Sequence, residues 1–238
     1  ADQVGEMLTF AMDIVIEGLS LPETDLASSQ FGSVVDSVLE EFQPTGEMNV
    51  TMHAARDADG RVTYSGTMQP LGMNMVYKHF PVPVREVSGT IRFDESGVHD
   101  INLSGLRDRG SVSVRGQAHR GPRVWAYDVV VECGNAPFDD DTRQALSERY
   151  APVWDSLNPE GSAAVQVHAT RDDQGQRDLA VTIKLRGNAR ITYDRFPYPL
   201  RDLFGDVSIE SGHVHIDRAA PVTGGNGEMR CTIYGDIY

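Results

Sequence analysis

Apolar and polar residues alternate along most of this chain with a period of two, the pattern of β-strands that bury one face and leave the other in water. Every second residue is apolar in the segments 48–53, 165–170 and 179–186. Short runs rich in Asp and Gly, such as 57–60 and 172–175, separate these segments in the manner of hairpin turns. The pattern predicts a mainly β protein, built as an antiparallel meander.

Two segments follow helical spacing instead, and each forms an insert between strands. In the segment 138–157, three Asp residues precede apolar positions at helical spacing, which is typical of a capped helix. The segment 23–42 has a similar acidic start and similar apolar spacing. Because Gly32 and Pro152 interrupt the two patterns, we expect two short helical pieces or a kink in each insert.

The sequence repeats itself when it is shifted by 115 residues. Matching pairs at this offset include Asp13/Asp128, Val50/Val165, His53/His168 and Gly60/Gly175. After one inserted residue, the pattern Tyr-x-x-Phe-Pro-x-Pro-x-Arg at 77–85 recurs at 193–201. We interpret the chain as two tandem copies of one unit, residues 1–117 and 118–238, each with about six or seven short strands and one helical insert.

The order of elements within each copy carries a family resemblance. A strand is followed by the helical insert, by Pro-x-Gly at 44–46 and 159–161, by two hairpins, and by Phe-Pro-x-Pro at 80–83 and 196–199. In this order the chain resembles, over nearly its whole length, the repeats of AsmA/TamB-like bacterial envelope proteins, which are related to bridge-like lipid-transfer proteins. The resemblance implies a long β groove whose apolar concave face carries phospholipid acyl chains across the periplasm, in a protein that continues into neighbouring repeats.

A sheet that is apolar on one face must cover that face with another sheet, a helix or a ligand. In the groove that the resemblance implies, the lining would come from alternating aliphatic side chains: Val50, Met52, Val165, Val167, Val181, Ile183, Val207 and Ile209. The helical inserts could cap this groove. The alternative is that the same residues and helices form a dry core, in a structural or adhesive β-repeat module whose outer face binds a protein partner.

The net charge of the 238 residues is −14, from 21 basic and 35 acidic side chains. A surface this acidic argues against binding to nucleic acid and against electrostatic docking on anionic lipid headgroups. We expect no membrane-spanning segment, because no apolar run approaches the ~20 residues of a spanning helix. The segment 7–17 comes closest, but it contains Asp13 and Glu17 and follows no basic region, so we expect no signal peptide either.

The sequence offers few candidates for chemistry. His213 and His215 share one face of a strand, but a zinc site needs three or four ligands, so we expect no metal and no cofactor. The local motifs of hydrolases are missing from the sequence, so we expect no enzyme, although two carboxylates that meet only in the fold leave a β-rich hydrolase open. Cys133 and Cys231 could pair in an oxidising compartment or remain free thiols.

Overall fold

The computed structural model of the protein describes residues 9–21, 42–78, 80–148, 150–210, 213–227 and 229–237. These residues form one large antiparallel sheet and two short helices. The prediction of a mainly β antiparallel protein is therefore confirmed. The insert predicted at 23–42 lies outside the described residues, apart from Phe42.

The strands of the first half are long. They are β1 (Phe10–Leu21), β2 (Gly46–Arg56), β3 (Val62–Tyr77), β4 (Phe80–Asp94), β5 (Gly97–Arg107) and β6 (Gly110–Arg120). The second half contains β7 (Trp125–Pro137), β8 (Glu160–Arg171), β9 (Arg177–Arg186), β10 (Ala189–Tyr193), β11 (Phe196–Glu210), β12 (His213–Ile216), β13 (Val222–Asn226), β14 (Met229–Ile233) and β15 (Gly235–Ile237). The helices α1 (Asp140–Ala145) and α2 (Ala151–Leu157) lie between β7 and β8.

From β1 to β8, each strand pairs antiparallel with the strand before it. Later in the chain, β8 pairs with both β9 and β10, and β11 pairs with β9 and β10 on one side and with β12 and β13 on the other. β14 pairs with β13, and β15 pairs with β12. The sheet is continuous through both halves, since residues 112–120 of β6 pair with β7. The boundary predicted at 117/118 therefore falls inside a strand.

Backbone irregularities recur at the offset of the sequence repeat. Residues with positive φ occur in pairs that lie 115 or 116 positions apart: Gln43/Asn158, Gly46/Gly161, Gly60/Gly175, Gly72/Gly187, Glu86/Asp202 and Gly89/Gly205. Two of these pairs contain no glycine, and a residue with a Cβ adopts such angles only at an energetic cost. The duplication of the chain itself stays a prediction from the sequence.

The insert between β7 and β8 consists of two helices, as the interrupted pattern predicted. α1 begins after Asp139, whose carboxylate accepts a hydrogen bond from the backbone N–H of Thr142 at 2.8 Å. Pro152 lies in the first turn of α2, where its missing N–H leaves no helical hydrogen bond unmade. Asn158 follows α2 in the left-handed conformation, with a φ of 41°.

The two ends of the sheet differ. We call the end where α1 and α2 join β7 and β8 the helix end, and the opposite end, formed by the turns at 57–61, 121–124 and 172–176, the open end. Buried apolar residues gather toward the helix end in two clusters. The first cluster, from β1 to β5, contains Leu21, Met48, Met73, Val87 and Leu103. The second cluster, from β8 to β13, contains Ala163, Leu185, Ala189, Leu203 and Val222.

Candidate functional site

One face of the sheet is apolar across both halves of the chain, and we call it the apolar face. A row of directly opposed residues crosses the first eight strands on this face: Ile16, Val50, Met68, Ile91, Ile101, Gly116, Val129 and Ala169. Directly opposed side chains in an antiparallel pair are close enough to touch, at about 5 Å between Cβ atoms. The row therefore forms part of one continuous surface.

The structure places all eight predicted groove residues on the apolar face. Val50 lies opposite Met68, and Met52 lies opposite Gly66. The other six form two rows across β8, β9 and β11, which are Val165–Ile183–Val207 and Val167–Val181–Ile209. All eight are half-buried. Their side chains are thus neither fully enclosed nor fully surrounded by water.

Exposure of the apolar face increases from the helix end to the open end. Along β9, Leu185 is 7% exposed, the next two residues of this face are half-buried, and Leu179 is 51% exposed. In β3 the same face changes from the buried Pro70 to Val62, which is 50% exposed. Apolar surface left in water costs about 25 cal/mol per Å². Binding of an apolar ligand to the open half of this face would therefore be favourable, because it removes apolar surface from water.

The helical insert closes the apolar face at the helix end. Phe138 packs against the second cluster, and its ring meets the ring of Trp154 edge-on, with centroids 5.6 Å apart. Arg107, the last residue of β5, is only 8% exposed. Its guanidinium donates to the Asp139 carboxylate at 2.9 Å and to the Thr142 hydroxyl at 2.7 Å. These contacts tie the insert to β5, two strands away from β7.

The charge of Arg107 is compensated by Asp139. Burial of the Asp139 carboxyl opposes its ionisation, but hydrogen bonds from Thr142 and Arg107 outweigh this effect, and the pKa of Asp139 is lowered. The sequence pattern does not predict this pair, because the two residues lie 32 positions apart. A signal was present, since Arg107 occupies the phase of β5 otherwise held by Ile101 and Leu103.

The other face of the sheet is polar. His53 Nδ1 lies 2.7 Å from an oxygen of Asp13, and His168 Nε2 lies 2.8 Å from an oxygen of Asp128. These two pairs occupy matching positions of the sequence repeat, and both imidazoles are exposed. The sheet is thus amphipathic, with one face suited to water and one suited to apolar contact.

The remaining chemical candidates do not assemble into a metal or disulfide site. His213 and His215 are exposed on β12, and His215 Nδ1 lies 2.6 Å from an oxygen of Asp236. Across the described part of the chain, no three His, Cys, Asp or Glu residues are grouped so that they could hold a metal ion. Cys133 and Cys231 are free thiols, and burial raises the pKa of Cys133.

Comparisons with models of known protein families, with curated proteins and with solved structures find no match to this chain. Among the described helices, none is long and apolar enough to cross a membrane. The resemblance to AsmA/TamB-like proteins stays a prediction from the sequence.

Proposed function

We propose that this chain is a non-catalytic segment of a lipid-transport or membrane-biogenesis protein of the bacterial envelope, and that its apolar face binds phospholipid acyl chains. The periplasmic location and the continuation into neighbouring repeats rest on the family resemblance. The binding surface rests on one observation: aliphatic side chains lie in directly opposed rows through both halves and become more exposed toward the open end.

Hydrophobic burial would drive this binding. Each methylene group that leaves water contributes about 0.8 kcal/mol, so an acyl chain laid along the face would gain several kcal/mol even when it is only partly covered. Hydrophobic contact does not depend on the angle between two groups, and it forms no covalent bond that must later be broken. A surface of this kind suits passive contact with acyl chains of different lengths.

Two substitutions at the centre of the apolar face test the proposal. Val167→Asp and Ile183→Asp each place a carboxylate among half-buried aliphatic side chains. We expect both variants to fold and to lose bound phospholipid, because an acyl chain cannot cover an ionised carboxylate without a large desolvation cost. Native mass spectrometry of the purified chains measures bound lipid, and circular dichroism measures folding.

Thr182→Asp is the matched control, since it adds the same charge to β9 on the polar face. This variant should keep the lipid content of the wild type. Retention of lipid by Val167→Asp and Ile183→Asp would contradict the proposal. A lipid-free wild type, together with unfolding of both variants, would indicate the dry core of a structural or adhesive module.

A further inference from the structure

The apolar face changes its composition toward the open end. Its middle rows are aliphatic, and several of the strands have an arginine at the open end. Four arginines, which we call the arginine rim, stand at these strand ends: Arg56 of β2, Arg120 of β6, Arg171 of β8 and Arg177 of β9. Each lies two or four positions from an aliphatic residue of the apolar face in the same strand, so each belongs to that face.

Aromatic side chains lie next to the arginine rim. Tyr127 is directly opposite Arg171. In the first half, the rings of Tyr64 and Phe93 lie 6.5 Å apart on the same face. Tyr and Arg combine an apolar body with a polar tip, and proteins use such side chains where hydrocarbon meets water or lipid headgroups.

Arg171 and Arg177 bring two like charges together. They are directly opposed across β8 and β9, and like charges at opposed positions repel. Within the described residues neither guanidinium forms an ion pair, and the Nε of Arg171 is buried without a hydrogen-bond partner. An anion held between the two side chains would relieve the repulsion and satisfy the buried donor.

The carboxylates that follow β8 have other partners. Asp172 accepts hydrogen bonds from the backbone N–H groups of Gln174 and Gln176 and so stabilises the turn before β9. Asp173 lies 3.0 Å from His119 of β6. Neither carboxylate forms an ion pair with Arg171 or Arg177 within the described residues.

We infer that the open end is a phosphate site for a glycerophospholipid, with the headgroup phosphate between Arg171 and Arg177 and the acyl chains directed along the apolar face toward the helix end. This inference rests on the proposed function and adds the site of the headgroup and the orientation of the lipid. The planar guanidinium fork matches phosphate oxygens. From Arg171 to Ala163 the strand extends about 26 Å, longer than the ~15 Å depth of one leaflet of acyl chains.

At the helix end, the apolar face of β5 ends in an arginine that is already paired. The apolar face stops there at Arg107, whose guanidinium is already occupied by Asp139 and Thr142. On the apolar face, Arg107 at the helix end is thus neutralised by Asp139. Arg171 and Arg177 at the open end form no ion pair within the described residues. The direction inferred for the lipid follows from this difference between Arg107 and the pair of Arg171 and Arg177.

Lipid binding to the full chain, after removal of co-purified lipid, tests the inference. The probes are dioleoyl phosphatidylglycerol, dioleoylglycerol with the same acyl chains and no phosphate, and inorganic phosphate. We expect Arg171→Gln/Arg177→Gln to bind phosphatidylglycerol about tenfold or more weakly and to bind dioleoylglycerol as the wild type does. Arg92→Gln/Arg115→Gln removes the same charge from the polar face and should bind both lipids normally.

Unchanged phosphatidylglycerol affinity in the rim variant would overturn the inference, as would an equal loss for both lipids. Displacement of the lipid by inorganic phosphate at an equal concentration would also overturn it, because the site would then recognise free phosphate. If the double variant does not fold, the exposed Arg177→Gln alone must show the selective loss. A wild type that binds neither lipid would overturn the proposed function itself, and the phosphate site with it.

Discussion

At the residue scale, aspartate–histidine pairs recur on the exposed surface of this protein. Five histidines lie within 3.0 Å of a carboxylate oxygen, in the pairs His53–Asp13, His99–Asp94, His119–Asp173, His168–Asp128 and His215–Asp236. Because water screens exposed pairs, each contributes little to the free energy of unfolding. The pair of His215 and Asp236 nevertheless couples that free energy to pH, because folding raises the pKa of His215.

His215 allows the sign of this coupling to be predicted. The hydrogen bond to Asp236, and the negative charges of Asp236, Asp217 and Glu210, raise the pKa of His215 above its usual value. A raised pKa contributes stability below the unfolded-state value of about 6.5, and this stability is lost as pH rises through the folded-state pKa. His215→Gln should therefore lower the urea midpoint of unfolding at about pH 5.5 and leave it nearly unchanged at about pH 9.

Asp236→Asn provides the control for this pair. It removes the carboxylate that raises the pKa, so the substitution His215→Gln should have little further effect in that background. A difference between His215→Gln and the wild type that grew with pH would contradict the assignment.

At the element scale, the helical insert depends on Asp139. Its carboxylate caps α1 through the N–H of Thr142 and receives the guanidinium of the buried Arg107. Asp139→Ala should lower the free energy of unfolding by about 2 to 4 kcal/mol, from the lost cap and the buried cation left without its charge partner. Urea denaturation at pH 7 measures this change.

Asp140→Ala is the matched control, because Asp140 is exposed in the first turn of α1. Its loss should cost less than about 1 kcal/mol, the size of an interaction with the helix dipole. Since folding lowers the pKa of Asp139, its stabilisation is present above about pH 4 and is lost as pH falls through the folded-state pKa. If both substitutions lowered the free energy of unfolding equally, the charge of Arg107 would not depend on Asp139 for compensation.

Strand phase and helix interruption could be predicted at this scale. The alternation through 165–170 and 179–186 gave the faces of β8 and β9 correctly, because one half-buried face imposes a period of two. Pro152 predicted the break in the insert, because proline is tolerated only in the first turn of a helix. Strand length was wrong: the first six strands have 11 or more residues each, longer than the short strands expected.

Contacts between distant residues could not be predicted from the pattern. The pair of Arg107 and Asp139 forms because β5 contacts the insert at the helix end. The spacing of residues within one segment does not predict such a contact. The arginine rim is similar, since Arg171 and Arg177 become a pair only when the register of β8 and β9 is known. The gradient of exposure along the apolar face could not be predicted either, because it depends on where the insert lies.

At the scale of the whole molecule, two core clusters share one sheet. Met73 in the first cluster and Leu203 in the second are each 2% exposed. Met73→Ala and Leu203→Ala should each lower the free energy of unfolding by about 2 to 5 kcal/mol. If the halves are two copies of one unit, hydrogen exchange should increase mainly in β1–β5 for Met73→Ala and mainly in β9–β13 for Leu203→Ala.

The two substitutions serve as controls for each other, because they remove similar buried volumes from different clusters. Equal loss of protection throughout the sheet for both variants would show a single cooperative unit. That result would contradict energetic independence of the two halves, even though residues with positive φ recur at matching positions in both.

The strand order from β1 to β8 has a kinetic consequence. Each strand from β2 to β8 pairs with its immediate predecessor, so the sheet can be extended one strand at a time. From β2 to β7, closing each new hairpin costs little entropy, since the loops between these strands are short. The order of synthesis can therefore serve as the order of assembly, and early strands gain partners while later ones are still being made.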